Sequence, residues 1–235
     1  MLRLPLRARR TAAFVVPCLI AATVLAGCGG AGSNGETAKA ARQIVTDAQK
    51  ATMGAPSVHL SGSNSSTSSP LRLDVVAGPS RGGGTITSGR TVLNLILDRA
   101  NLFIKADAAT IQSITGNAAT ARADANRWLR TSSASDNFTG LSQLVDITRL
   151  PQSFTFSGSP TKQAPTMFDG MKVVPLFDPA SGGTLYVAAT GKPYIIGIKG
   201  ATSKGGATLT FDHYGTAKVP SAPPNPITLN PKKAG

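Results

Sequence analysis

Apolar and polar positions along the chain follow two periods, one helical and one of two residues. Between residues 36 and 53 apolar positions recur every three or four residues, which predicts an amphipathic helix that Gly54 and Pro56 end. After that point, alternation of apolar and polar residues predicts about ten short β-strands. The alternating segments are 58–61, 71–75, 85–88, 91–97, 101–105, 127–130, 153–157, 171–177, 183–189, 194–199 and 207–214.

Helical spacing returns in the middle of the chain. Segments 108–114, 118–125 and 140–146 are predicted as short helices, and Leu150-Pro151 ends the last of them. Glycine-rich pieces predict turns between strands. These pieces are Gly82-Gly83-Gly84, Gly182-Gly183, Gly191-Lys192-Pro193 and Lys204-Gly205-Gly206. The sequence therefore predicts an α+β protein, in which one curled antiparallel sheet forms a half-barrel with helices over its concave face.

Charged positions within the strands predict which side chains point inward. Lys105, Lys199 and Asp212 are expected to face outward, so residues at alternating positions face the interior. This inward set is Leu102, Ile104, Tyr194, Ile196, Ile198, Leu209, Phe211 and His213. By the same alternation, one face of the segment 91–97 holds Leu93, Leu95 and Leu97, and the other face holds Val92 and Ile96.

Large side chains are scarce, because aromatic residues make up 5% of the chain. A curled sheet with so few of them either packs solid or keeps an apolar cavity. In a solid interior the single tryptophan, Trp128, is a core residue. If a cavity exists, the residues expected to line it are Leu95, Leu97, Ile104, Trp128, Tyr194, Ile196, Ile198, Leu209 and Phe211.

The N-terminus has the organisation of an export signal. Four arginines precede an apolar stretch of about 15 residues, shorter than the ~20 that span a bilayer. The stretch ends in Leu25-Ala26-Gly27-Cys28, which resembles the lipobox of bacterial lipoproteins, whose cysteine thiol carries a diacylglyceryl group. The alternative is a plain signal peptide, or an anchor helix, that happens to contain cysteine. The general secretory route is preferred, because the residues after Arg9-Arg10 fit the twin-arginine route poorly.

These features divide the chain into four parts. Residues 1–27 are predicted as a lipoprotein signal peptide, 28–35 as a flexible tether, 36–219 as a single domain and 220–235 as a proline-rich tail. Anchored through Cys28, the domain would lie at the extracytoplasmic face of the cell membrane. Cleavage before Cys28 leaves one cysteine, which excludes internal disulfides and CxxC sites.

The charge of the chain is strongly positive but dispersed. The net charge is +13, and removal of the four leader arginines leaves 20 basic against 11 acidic residues, a net charge of +9. No basic stripe with interleaved aromatic residues occurs, so nucleic acid is not predicted as a partner. The excess of positive charge is explained either by attraction to anionic phospholipid or by solubility alone.

Motifs of catalysis and of cofactor binding are absent from the sequence. It contains no GxSxG, HExxH, P-loop or dinucleotide-binding glycine motif. Ser159-Pro160-Thr161-Lys162 fits SxxK, but its companion motifs are missing. His59 and His213 are the only histidines, and neighbours such as Asp212 and His213 point to opposite faces of a strand. We therefore expect no enzymatic activity, no cofactor and no metal site.

The order of elements resembles the LppX/LprAFG lipoproteins of mycobacteria. The order is lipobox, tether, amphipathic helix, strand-rich half, tryptophan element and second strand-rich half. Local likenesses are Leu102-Phe103-Ile104-Lys105, Asn126-Arg127-Trp128-Leu129, Phe168-Asp169-Gly170-Met171-Lys172-Val173, Thr184-Leu185-Tyr186-Val187, Thr190-Gly191-Lys192-Pro193 and Phe211-Asp212-His213-Tyr214-Gly215. The resemblance implies a half-barrel that encloses a hydrophobic cavity and carries acylated lipids or glycolipids across the envelope, with an envelope transporter as a further partner.

Two other functions are compatible with an exported strand-rich domain. The first is an envelope interaction module with a solid core and no lipid cargo. The second, a solute-binding lipoprotein of a transporter, is disfavoured because such proteins usually have two α/β domains. No short motif marks cavity residues in the LppX/LprAFG lipoproteins, so the resemblance adds no site residue to those above.

Overall fold

The computed structural model describes residues 32–64, 70–154, 156, 158–201 and 206–229. The predicted signal peptide and Cys28 lie outside the described residues, as do the start of the tether and the end of the tail. Within the described part, no helix is both long enough and apolar enough to cross a membrane.

The helices form where helical spacing predicts them. They are α1 (Ala41–Met53), α2 (Ala108–Thr115), α3 (Ala118–Asp124) and α4 (Thr139–Leu144), and short 3₁₀ turns span Glu36–Ala38 and Leu150–Ser153. The buried face of α1 carries Ile44, Ala48 and Thr52 at intervals of four residues, which is the period of an amphipathic helix. Asp107 and Asn117 cap α2 and α3, because each side chain accepts a hydrogen bond from a backbone N–H of the first turn.

Thirteen strands of the described residues form one continuous sheet. They are β1 (Val58–Asn64), β2 (Leu71–Gly78), β3 (Arg81–Ser88), β4 (Thr91–Asp98), β5 (Asn101–Lys105), β6 (Leu129–Ser132), β7 (Thr161–Lys162), β8 (Thr166–Phe168), β9 (Met171–Phe177), β10 (Thr184–Ala188), β11 (Ile195–Lys199), β12 (Ala207–Asp212) and β13 (Ile227–Thr228). Their order is β13-β6-β5-β4-β3-β2-β1-β12-β11-β10-β9-β7, and β8 also pairs with β9. Only the pair β13–β6 is parallel among these described strands. The sheet is open and curled, which confirms the predicted α+β class.

One face of the sheet is covered by helices and carries the main core. Ile44 and Ala48 of α1, Ile111 of α2 and Ala121 of α3 are buried in the same cluster as the inward strand residues. The buried strand residues of this cluster include Leu60, Val75, Leu95, Leu97, Leu102, Ile104, Leu129, Leu185, Ile195 and Phe211. The predicted inward directions of Leu102, Ile104 and Phe211 are confirmed.

Gly82, Gly83 and Gly84 do not form the predicted turn. They lie within β3, paired with β2 on one side and β4 on the other. A side chain at Gly82 would collide with the backbone of Val145, and one at Gly83 would press on Pro220. Glycine within a strand often marks the close approach of another segment, and here segments approach at both positions.

Two further predictions of strands and faces are wrong. The segment 153–157 is not a strand at its start, because Ser153 ends a 3₁₀ turn. The pairing of β10 with β11 shifts between Tyr186 and Val187 and leaves Ile196 as an extra residue. Ile195 and Ile198 therefore face the main core, whereas Ile196 packs with Phe168, Val173 and Ala188 in a second cluster. The prediction that Ile196 points inward beside Ile198 is wrong for this reason.

Candidate functional site

An apolar pocket opens at the edge of the main core, between the segment after Pro151 and strands β10 and β11. Phe154 and Phe156 line it from that segment, and Leu185 and Ile198 line it from the strands. Its volume is about 200 Å³. The Phe154 ring meets the buried ring of Phe211 edge to face, with centroids 5.7 Å apart, so the pocket adjoins the core directly.

A polar corner closes one end of the pocket. Asp178 is buried, and its carboxylate accepts hydrogen bonds from the Ser181 hydroxyl at 2.7 Å and from the Ala180 N–H at 3.1 Å. Gly182 has a φ of +72°, which lets the chain turn from β9 back into β10. Ser153 and Thr184 also line the pocket, which thus combines four apolar side chains with a few polar groups, as small-molecule sites commonly do.

The residues predicted to line a cavity are distributed over four places. Ile198 alone of them lines the pocket described above. Leu95, Leu97, Ile104 and Phe211 are at most 2% exposed within the main cluster, and Tyr194 and Leu209 pack against it. Trp128 is half-buried beside a groove of about 330 Å³ that Pro220, Lys218 and Leu95 also line. Ile196 lies in the second cluster.

Phe154, Phe156 and Leu185 were not among the predicted lining residues. Phe154 and Phe156 are two residues apart, like residues on one face of a strand. The sequence therefore predicted a strand at the place where a 3₁₀ turn ends. Pro151 is the local signal that could have placed them on a turn, because it stands in the first turn of the 3₁₀ segment and is buried.

The SxxK residues have structural partners. The Ser159 hydroxyl accepts a hydrogen bond from Arg42 at 2.8 Å. The Lys162 ammonium group donates to the carbonyls of Thr37 and Lys39 at 2.9 and 2.7 Å. Both side chains thus bind residues in or just before α1.

Both histidines of the chain meet at Asp212. His59 Nδ1 lies 2.7 Å and His213 Nδ1 lies 2.8 Å from Asp212 Oδ1, and His59 Nε2 lies 3.0 Å from Asp74 Oδ1. The predictions that His213 faces the interior and cannot pair with Asp212 are wrong. Strand β12 ends at Asp212, and His213 has a φ of +49°, so the alternation of a strand no longer applies to it.

The charges of this cluster stabilise one another. Partial burial lowers the pKa of His59, but its hydrogen bonds with Asp74 and Asp212 outweigh burial and raise that pKa above its ordinary value of 6.5. Burial raises the pKa of Asp212, and the hydrogen bonds from His213 and His59 bring it below its ordinary value of 3.8. The folded protein therefore favours a charged His59 beside an ionised Asp212.

Comparisons with known proteins identify the fold. The sequence matches no family model and no curated protein. LprF from Mycobacterium bovis is 16% identical over 83% of this chain and 99% of its own, with a TM-score of 0.51. The lipoprotein LppX from Mycobacterium tuberculosis is 16% identical over 76% of this chain and 96% of its own, with a TM-score of 0.48. An uncharacterized conserved protein from Thermus thermophilus is 8% identical over 80% and 98%, with a TM-score of 0.44. The protein shares the fold of LprF and in this respect resembles the LppX/LprAFG lipoproteins.

Proposed function

We propose that the protein is a lipoprotein, anchored through Cys28 at the extracytoplasmic face of the cell membrane, whose domain binds and shuttles acylated lipid or glycolipid. The observation that carries the proposal is the apolar pocket of Phe154, Phe156, Leu185 and Ile198, which opens from the core of an LprF-like fold. The proposed role is not enzymatic. An envelope transporter that supplies or receives the lipid would be a further partner.

The pocket requires a movement before it can hold a whole acyl chain. Its volume of about 200 Å³ is below the roughly 300–1,000 Å³ of pockets that enclose drug-sized ligands. In the described part of the segment that carries Phe154, the Phe154 N–H and Gln49 Nε2 both donate to the Pro151 carbonyl over a long distance of 3.3 Å. Displacement of this segment would expose Phe211 and extend the apolar surface.

The free energy of lipid transfer between the bilayer and the pocket is compatible with a carrier. Each methylene group removed from water contributes roughly 0.8 kcal/mol, and the bilayer supplies the same contribution. Transfer between the two apolar media is therefore close to neutral, so lipid can be loaded and released. Contact of a lipid headgroup with the polar group formed by the buried Asp178 and the exposed Ser181 would then orient the molecule.

Dense packing favours a second candidate, the envelope interaction module with a solid core. Leu60, Leu95 and Ile104 have no exposed surface, and helices α1 to α3 fill the face on which they lie. In that case the domain would dock onto another envelope protein and carry no lipid.

Filling the pocket separates the two candidates. If lipid occupies it, Ile198→Trp is expected to abolish lipid co-purification at a melting temperature close to that of the delipidated wild type, because the indole takes space that lipid would use. In a solid core the same change overpacks and lowers the free energy of unfolding by ~1–3 kcal/mol. Native mass spectrometry of the purified protein and thermal unfolding measure the two effects.

The matched control is Val92→Trp, because Val92 is 44% exposed and lies on the other face of the sheet from Leu93 and Leu95. It should change neither lipid content nor stability. Absence of lipid from the wild type, together with a clear melting loss in Ile198→Trp, would contradict the carrier and support the interaction module.

Anchoring depends on Cys28. Cys28→Ser is expected to leave an uncleaved or mis-sorted precursor, because the thiol that accepts the diacylglyceryl group is gone. Cys18→Ser, within the apolar stretch, should change little. Processing on gels and partitioning into detergent compare the two variants. Normal processing of Cys28→Ser with wild-type partitioning would refute the lipobox.

A further inference from the structure

We propose that His59, Asp212 and His213 bind a divalent transition-metal ion such as Zn²⁺, because two imidazoles and one carboxylate are donors that such ions accept. One nitrogen or oxygen atom from each of the three side chains lies within 4.8 Å of the others. Two histidines and a carboxylate are a donor set that zinc accepts, with bonds of about 2.0–2.2 Å. The three side chains leave a fourth tetrahedral position for water or for an outside ligand.

Backbone geometry brings the ligands together from distant parts of the sequence. His59 of β1 stands opposite Asp212 of β12 in the antiparallel pairing of the two strands. The left-handed φ of +49° at His213 belongs to a turn, in which the N–H groups of Thr216 and Ala217 both donate to the His213 carbonyl at 3.0 Å.

Asp74 supplies the outer support that zinc-binding histidines require. Its Oδ1 lies 3.0 Å from His59 Nε2, so it can accept the Nε2–H while the Nδ1 lone pair binds the ion. A ligating histidine almost always donates its second ring nitrogen to a carboxylate, a carbonyl or water in this way. This arrangement is an observation independent of the three ligands.

Without an ion, a protonated His59 donates one N–H to Asp212 and the other to Asp74. A metal ion would take the place of the proton on Nδ1, because a ligating histidine is neutral and metal binding releases a proton. Ligand atoms of tetrahedral zinc stand about 3.3 Å apart, so the present separations of 2.7 and 2.8 Å need to widen by only about half an ångström.

The site is open to solvent. The His213 side chain is 67% exposed and that of His59 is 25% exposed, so an ion can enter without unfolding. Because the cluster lies on β1, β2 and the end of β12, its failure would leave the pocket at Phe154 and the proposed lipid binding unaffected.

Titration of the metal-free, full-length protein in detergent with ZnCl₂ tests the site. Isothermal calorimetry at pH 7.5 is expected to show one ion per chain, and Co²⁺ in its place should give the visible absorption of a tetrahedral complex. His59→Gln and His213→Gln should abolish binding. Asp74→Asn should weaken it by about 10–100-fold, because the outer partner of His59 is lost.

A control variant and thermal unfolding separate loss of a ligand from loss of folding. Asp98→Asn removes a carboxylate that pairs with Arg81 on the same sheet, and it should bind Zn²⁺ like the wild type. Zn²⁺ should raise the melting temperature of the wild type and of Asp98→Asn, but not of the histidine variants. Absence of binding by the wild type, or binding that persists when both histidines are replaced, overturns the proposal.

Discussion

Gly82→Ala is expected to lower the free energy of unfolding by about 3 kcal/mol, at the upper end of the effects of overpacking. The new methyl group would collide with the carbonyl oxygens of Val145 and Val76. Val76 is paired within the sheet, and the chain beside Val145 is held to β2 by the Ile147 N–H, which donates to the Gly78 carbonyl at 3.2 Å, so neither carbonyl moves without disturbing hydrogen bonds. A domain stable by about 5–15 kcal/mol would lose a substantial share of its stability.

Urea unfolding followed by circular dichroism measures this change. Gly140→Ala is the matched control, because a side chain at Gly140 of α4 meets nothing within 4 Å and alanine favours a helix by up to ~1 kcal/mol. The control should therefore be neutral or stabilising. An unchanged unfolding midpoint for Gly82→Ala would show that Val145 does not lie against β3.

The glycines of β3 illustrate where sequence patterns stop predicting the fold. A run of Gly82, Gly83 and Gly84 satisfies every local rule for a turn. Gly82 and Gly83 are instead approached by Val145 and Pro220, which are distant in sequence. Helix α1 and strand β9 were predicted closely because the signals that define them are local in the sequence. These signals are the apolar period and the turn residues at the ends of each element.

Strand faces were predictable only where the alternation is unbroken. Lys105 correctly placed Leu102 and Ile104 in the core. From Lys199 the same rule correctly placed Ile198 but failed at Ile196, because one bulged residue reverses every side chain beyond it. Nothing in the composition of β11 marks that bulge, which arises from its pairing with β10.

The candidate sites were predictable in part for the same reason. Ile198 lay in the predicted set, whereas its neighbour Phe154 reaches the pocket through a turn that resembles a strand. The histidine cluster was rejected on the assumption that β12 continues to Tyr214. This assumption is wrong because His213 adopts a left-handed conformation. Sites that form where strands end are therefore poorly predicted by periodicity.

Phe211→Ala is expected to lower the free energy of unfolding by about 3–5 kcal/mol and at the same time to enlarge the proposed lipid pocket. The ring is 1% exposed and contacts Phe154 edge to face, so its removal leaves a cavity that the sheet cannot close. At ~2–4 °C per kcal/mol for a domain of this size, the melting temperature should fall by about 10 °C.

The effect of Phe211→Ala on lipid follows from its position beside Phe154. The vacated volume joins the pocket of about 200 Å³, so additional methylene groups of an acyl chain can be buried and binding should tighten. Saturating lipid should then recover part of the lost melting temperature, because a ligand that binds only the folded state stabilises it. Thermal unfolding with and without a fluorescent fatty acid measures both quantities.

Phe138→Ala distinguishes this effect from a general loosening of the core. Phe138 is 3% exposed in the same main cluster but does not line the pocket, so it should lose comparable stability with no gain in lipid binding. Equal behaviour of the two variants, with no lipid bound by either, would support a solid interior and the interaction module. A loss below about 1 kcal/mol in Phe211→Ala would instead mean that the core around this ring is not close-packed, which would favour an interior that already accommodates lipid.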